Sequence, residues 1–165
     1  MIHKLDEAGP SLRAAMDRMA GSDPSLTPIA LGWATVDLAR AEHAFRDALA
    51  GFTVATEDRP DDILLGARCR LIRTDLPGVA ILLLLEPFTE GRLAAGLARH
   101  GEGPAAIWLL EEPARDPSAG AASLPVVQRS SPAQGPLGTE VLLRDAARAG
   151  PYRLLVVAEP GTITP

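Results

Sequence analysis

Two hydrophobic periods alternate along the chain, and the alternation predicts its elements. From Ile29, IALGWATV has the apolar density of a strand and ends at Asp37, a residue type that caps helices. DLARAEHAFRDALAGF then sets Leu38, Ala41, Phe45, Ala48 and Leu49 on one helical face, and Gly51 supplies a stop. FTVAT predicts a short strand, DRPDD a turn, and ILLGARCRLIRT a longer strand. DLPG leads into VAILLLLEP, a continuous apolar run expected of a strand covered on both faces. FTEGRLAAGLARHGEG holds a short helix and a Gly-rich exit, and PAAIWLLEE predicts another strand. EEPARDPSAGAA leaves little room for a helix. LPVVQRSS, LGTEVLLRD and YRLLVVAEP predict three further strands.

Residues 1–27 stand apart. Ser11 would cap a helix with Leu12, Ala15, Met16 and Met19 at helical spacing, and GSDPSLTP would end it. This segment reads as a docked helix, with a disordered arm as the alternative.

The order β-α-β-β-β followed by β-loop-β-β-β suggests a duplication. Residues 28–33 (PIALGW) resemble 104–109 (PAAIWL) at an offset of 76. Residues 78–87 (GVAILLLLEP) resemble 150–160 (GPYRLLVVAEP), with Glu86-Pro87 matching Glu159-Pro160 at an offset of 73.

Composition narrows the function. The 165 residues are 47% hydrophobic and carry a net charge of −5, so a core is available and no basic face appears in the totals. Nucleic acid and anionic membranes are therefore not expected as partners. No apolar run approaches the roughly 18 residues of a membrane span. One cysteine, Cys69, and an N-terminus without a secretory pattern predict a reducing, cytoplasmic setting. His3, His43 and His100 form no metal-binding pair and read as surface residues, and Cys69 reads as a small buried apolar residue. No nucleophile elbow, phosphate loop or dinucleotide fingerprint is present.

Two segments carry a family likeness. ALGWATVDLARAEHAFRDALAGF and LLLLEPFTEGRLAAGLARHGEGPAAIWLLEE resemble the vicinal oxygen chelate superfamily, which includes glyoxalase I, extradiol dioxygenases and methylmalonyl-CoA epimerase. The likeness is to the epimerase-type branch and covers about residues 28–112. It implies an α+β fold of two βαβββ modules forming an eight-stranded, incompletely closed barrel, here with the second helix shortened. Residues 1–27 would be an N-terminal helix or arm. Module one would span about 28–103 and module two about 104–165.

In that family, four side chains on the concave face chelate one divalent metal that stabilises an enolate. By the resemblance, the four positions fall on Ala30, Leu83, Ala106 and Val156. None has a donor atom, so no metal and no other cofactor is expected. If these positions mark the concave face, strand alternation adds Gly32, Ala34, Leu85, Trp108 and Leu154 to an apolar lining. Small residues at 30, 32, 34 and 106 would leave volume for a ligand.

On GARCRLI, Arg68 and Arg70 share one parity. An unpaired buried charge costs several kcal/mol, so both arginines are expected at the concave mouth rather than under the helix. The internal repeat, matching Asp75 to Asp145, sets Glu140 opposite Arg70. One reading makes these a solvated rim. The other makes the arginines anion-binding and Glu140 a catalytic acid/base. The leading function is metal-free binding of an apolar or anionic small molecule through Ala30, Gly32, Arg68, Arg70, Leu83, Ala106, Trp108 and Val156. The alternatives are a metal-independent isomerase, epimerase or lyase using Glu140, and a degenerate interaction domain. Leu- and Val-rich final strands, with the family's habit of pairing, predict a homodimer.

Overall fold

The structure, a computed structural model, describes residues 8–21, 23–111, 128–144 and 151–157. It contains helices α1 (Ala8–Ala20), α2 (Leu38–Ala48) and α3 (Arg92–His100). The strands are β1 (Leu26–Ala34), β2 (Val54–Asp62), β3 (Ala67–Thr74), β4 (Ile81–Pro87), β5 (Gly103–Glu111), β6 (Gln128–Arg129), β7 (Ala133–Gly135), β8 (Gly138–Arg144) and β9 (Tyr152–Val156). They form one mixed sheet in the order β2-β3-β4-β1-β5-β9-β8-β6, with β7 also on β8.

The duplication is visible in the pairing. Each half begins with a strand that lies parallel to the last strand of its own module, β1 to β4 and β5 to β9. The two halves join antiparallel through β1 and β5. On that ladder Leu31 faces Ile107, Ala30 faces Trp108 and Gly32 faces Ala106. The 76-residue offset sends Leu31 to Ile107 and Ala30 to Ala106, so a pseudo-two-fold axis passes between Leu31 and Ile107. β6 and β7 together take the place beside β8 that β2 takes beside β3, which makes nine strands where eight are expected. The sheet curls until β2 comes against β7, without joining it in a ladder among the described residues.

Period-2 alternation divides the sheet's apolar residues between two cores. The outer core gathers Leu31, Leu82, Leu84, Ile107, Leu109 and Leu155 beneath the helices. α1 contributes Leu12, Ala15, Met16 and Met19 to it and packs on β1 and β5. α2 contributes Ala41 and Phe45, and Trp33 meets Phe45 edge-on at 5.1 Å. The inner core, inside the curl, gathers Ala30, Leu71, Leu83, Leu85, Ala106, Trp108, Leu142 and Leu154, closed over by Leu65 and by Leu93 of α3. Burying each such Leu or Ile contributes about 1.5–3 kcal/mol.

Asp37 caps α2 as expected, its side chain accepting from the Arg40 N–H at 2.9 Å. Two boundaries differ from the sequence reading. α1 begins at Ala8, three residues before Ser11; Pro10 falls in the first turn, where its missing N–H costs nothing. β2 runs through DRPDD to Asp62 instead of turning there. It is the edge strand, where proline is tolerated, and a register shift between Arg59 and Asp62 absorbs the irregularity. The turn comes later, where Asp62 Oδ1 accepts from the Leu65 N–H at 2.8 Å and Gly66 takes φ 69°. The segment expected to hold a shortened second helix lies at 112–127, outside the described residues.

Candidate functional site

Four residues assigned to ligand positions do share the inner face. Ala30, Leu83 and Ala106 are fully buried in the inner core, and Val156 packs against it half-buried. Leu83 lies beside Gly32 and Leu71, whereas Val156 lies beside Leu110 and Glu140. The residue placed symmetrically to Leu83 is Leu154, beside Trp108 and Leu142. Val156 is two residues further along the same face.

The volume expected from small residues is filled by Trp108. An ideal Cβ at Gly32 would lie 2.7 Å from Trp108 Cζ3, 2.9 Å from the Ala106 Cβ and 3.0 Å from Leu85 Cδ1. The indole therefore occupies the room that Gly32 and Ala106 leave. It does so fully buried, which requires a partner for its N–H.

That partner is Glu140. Trp108 Nε1 donates to Glu140 Oε2 at 2.8 Å, and the Leu137 N–H donates to Oε1 at 2.9 Å. The carboxyl rests on Gly135, where a Cβ would lie 2.5 Å from Glu140 Cδ. Glu140 is completely buried. Burial raises its pKa from 4.5 to about 7; the Trp108 and Leu137 hydrogen bonds pull it down, and nearby Asp62 pushes it up. A carboxyl poised near neutrality has the proton affinity of a general acid or base.

Asp62 is the second fully buried acid of this face. Its Oδ1 is held by Leu65, but its Oδ2 is buried without a hydrogen-bond partner among the described residues. Burial raises its pKa against the opposing Leu65 and Leu64 N–H groups. Cys69 stands nearby on the same face, its thiol pushed far up first by burial and then by the Asp62 charge. That thiol is not a nucleophile at neutral pH.

Arg68 and Arg70 correct the expectation that placed them at the concave mouth. β3 puts Ala67, Cys69 and Leu71 inward, so its arginines share the outer parity with Ile72. They escape the cost of unpaired burial because carboxylates meet them at the margin of α2. Arg70 binds Glu42 of α2 at 2.7 Å and Asp58 of β2 at 2.8 Å. Arg68, exposed, binds Glu86, whose other oxygen accepts from the Leu38 N–H at 3.1 Å and so caps α2. Glu140 is not opposite Arg70: its ladder partners are Val156 and Ala133.

The HGEG segment serves a joint. Glu102 Oε1 accepts from Thr35 Oγ1 at 2.7 Å and the Val36 N–H at 2.9 Å, and pairs with Arg40. It ties the exit of α3 to the end of β1 and the start of α2. His43 and His100 are exposed.

Sequence reasoning missed Asp62 and Arg59 because DRPDD looked like a turn. In the ladder Arg59 faces Cys69 and Glu57 faces Leu71, which puts both on the inner side of the edge strand. The signal available was the alternation Glu57, Arg59 against Thr56, Asp58 across a continuous strand.

An α+β sheet of two repeated modules, curled around an inner face that joins them through their first strands, defines a glyoxalase-type protein. No protein-family model and no curated protein matches the chain. Among solved structures, a variant of Streptomyces coelicolor methylmalonyl-CoA epimerase in complex with 2-nitronate-propionyl-CoA is similar at 30% identity, covering 79% of this chain and 96% of that one, with a TM-score of 0.54. Methylmalonyl-CoA epimerase from Mycobacterium tuberculosis is similar in fold at 21% identity, covering 84% and 93%, with a TM-score of 0.60. The chain belongs to the vicinal oxygen chelate superfamily.

Proposed function

We propose that the protein is a binding member of this superfamily that works without a metal inside the barrel. The observation that carries this reading is the inner face itself. Ala30, Leu83 and Ala106 converge there with no donor atom, and Trp108 fills the room beside them. Neither Val156 nor its neighbour Leu154 supplies a donor. Divalent ions need N, O or S ligands, so these residues do not fit the family's metal, and no enolate step is routed through one.

The ligand would be a small molecule whose apolar part lies on this face, with Glu140 and the Trp108 N–H as its polar contact. Entry requires Trp108 or Leu93 of α3 to shift, because the face is packed. The neighbour's acyl-CoA ligand makes CoA thioesters the first class to try. With Arg68 and Arg70 on the outer side, they give an anionic group no hold inside. Glu140, with its pKa near neutrality, supports metal-independent isomerase or lyase chemistry as a second reading. The packing of Trp108 favours a third, an interaction domain whose barrel is only a core.

A thermal-shift screen of acyl-CoAs and aromatic natural products, run in chelator, separates these. A rise in Tm supports binding, since a ligand that selects the native state stabilises it. Turnover of methylmalonyl-CoA that needs added cobalt or zinc contradicts the reading. A homodimer belongs to this reading, with the exposed apolar side chains of Val36, Ile63 and Phe88 available to a partner copy. Light scattering at about 17 kDa, one chain's mass, rejects the dimer.

A further inference from the structure

Among the described residues, three buried side-chain polar atoms have no hydrogen-bond partner, and two of them flank one short stretch of β2. Arg59 Nε is a donor and Asp62 Oδ2 an acceptor, yet they do not meet. Between them the β2–β3 ladder skips. Arg59 faces Cys69, Asp62 faces Ala67, and Pro60 and Asp61 fall between the two pairs. Proline has no N–H to give a ladder. On its other side β2 is the sheet edge and comes against β7 without a ladder among the described residues, so strand pairing restrains this stretch little.

The tip of the hairpin, beyond Arg59, makes its hydrogen bonds mainly to itself. Asp62 accepts from the Leu65 N–H through Oδ1 and from the Gly66 N–H through its carbonyl, both at 2.8 Å. Gly66, at φ 69°, makes the bend. It is fixed to the body by the Phe88 N–H, which donates to its carbonyl at 2.8 Å. Toward the barrel the tip offers Leu65, 1% exposed, with Leu64 packed against the inner core. Toward solvent it offers Pro60, Asp61 and Ile63, all exposed.

Two opposed effects act on this tip. Burying one leucine favours closure by an amount of the same order as one buried, unsatisfied polar group opposes it. Here both Arg59 Nε and Asp62 Oδ2 oppose it, and both regain water when the tip lifts. The ion pair of Arg59 Nη1 with the half-exposed Glu57, at 3.4 Å, leaves Nε unrelieved.

We propose that residues 60–65 form a lid on the inner core, poised to open about Gly66 and the irregular stretch of β2 without unfolding of the sheet. Opening lifts Leu65 away and uncovers Cys69, which is 4% exposed and lies opposite Arg59. The lid stands whether or not the barrel binds a ligand.

Cys69 is the one cysteine of the chain, so its labelling reports the lid directly. The thiol is labelled with a neutral aromatic disulfide at pH 8, in urea concentrations below the unfolding transition, in the wild type, Arg59→Met and Leu65→Ala. Hydrogen exchange is read alongside by mass spectrometry. The wild-type rate is expected to stay nearly constant across these urea concentrations, because a local opening exposes little surface. Arg59→Met keeps a long apolar stem and removes the unsatisfied N–H, so it should label about fivefold or more slowly. Leu65→Ala removes the apolar hold and should label about tenfold or more faster. The amides of 60–65 should exchange before those of β1 and β5. A labelling rate that climbs with urea as steeply as global unfolding overturns the lid, and so does an Arg59→Met or Leu65→Ala rate equal to the wild type's.

Discussion

Trp108 and Glu140 meet within module two, the indole N–H of β5 on the carboxyl of β8 at 2.8 Å, both fully buried. The strand that opens module two thereby fixes the one acid that faces the inside from β8. Trp108→Phe keeps the ring packing and removes the donor. At pH 8, where Glu140 is charged, urea denaturation should show a loss of about 1.5–3 kcal/mol, the scale for a hydrogen bond to a charged group. At pH 4.5 the acid is neutral and the loss should be smaller. Equal losses at the two pH values contradict the pairing.

Glu140 should also make stability depend on pH. Its carboxyl titrates near 4.5 when free and about 7 when folded. The folded state holds the proton more tightly, so this contribution is full below about pH 4.5 and is lost as pH rises through 7. The span corresponds to stability on the order of 3 kcal/mol. Glu140→Gln should remove this fall, so the difference between wild type and variant should slope between pH 4.5 and 7 and flatten above. A flat difference across that range contradicts the buried titration.

Gly32 and Gly96 should respond to alanine with opposite signs. At Gly32 the added methyl meets the Ala106 Cβ and the Trp108 ring at under 3.0 Å, so overpacking should cost about 1–3 kcal/mol. At Gly96, in α3, nothing lies within 4 Å, and helix propensity should give a gain of about 0.5–1 kcal/mol. Thermal unfolding of the two variants reads both signs. A neutral Gly32→Ala would show that Trp108 does not fill the inner face as described.

Glu102→Ala removes one acceptor shared by Thr35, Val36 and Arg40. Burial works to raise the Glu102 pKa, but the Thr35, Val36 and Arg40 contacts outweigh it and hold it below the usual value. Its contribution is therefore present at neutral pH and is lost as pH falls through the folded pKa. The variant should lose about 1–3 kcal/mol at pH 7 and less at pH 3, by denaturant titration. The same loss at both would mean that the carboxylate charge is not what joins β1 to α3.

Much of the fold was legible because the two hydrophobic periods are clean. The α2 face, the cap at Asp37 and the buried run of β4 all follow from spacing. The 76-residue offset anticipated the β1–β5 ladder, since a duplicated strand pairs with its copy about the symmetry axis. The inner face was legible in β1, β4 and β5 for the same reason. The second half of β2 was not: Pro60 within DRPDD reads as a turn, and only its place at the sheet edge lets a strand pass through it. Ending the strand at FTVAT hid Asp62 and Arg59. The arginines of β3 misled for a different reason. The rule against unpaired buried charge holds, but Glu42, Asp58 and Glu86 come from α2's face, β2 and β4, and local sequence does not show that they converge. Glu140 was singled out from the sequence but set opposite Arg70, because loop-length differences blur the second repeat; its ladder partners are Ala133 and Val156.

The central claim is that this barrel binds without a metal at the place its superfamily uses. Its most direct test is the metal content of the folded protein after equilibrium dialysis against micromolar zinc, cobalt, nickel and manganese, read by elemental analysis. The donor-free set Ala30, Leu83, Ala106 and Val156 predicts well under one-tenth of an equivalent of any of them, on the order of background. One stoichiometric ion, lost when Glu140 or Asp62 is replaced, would contradict the claim and place a metal centre inside the barrel.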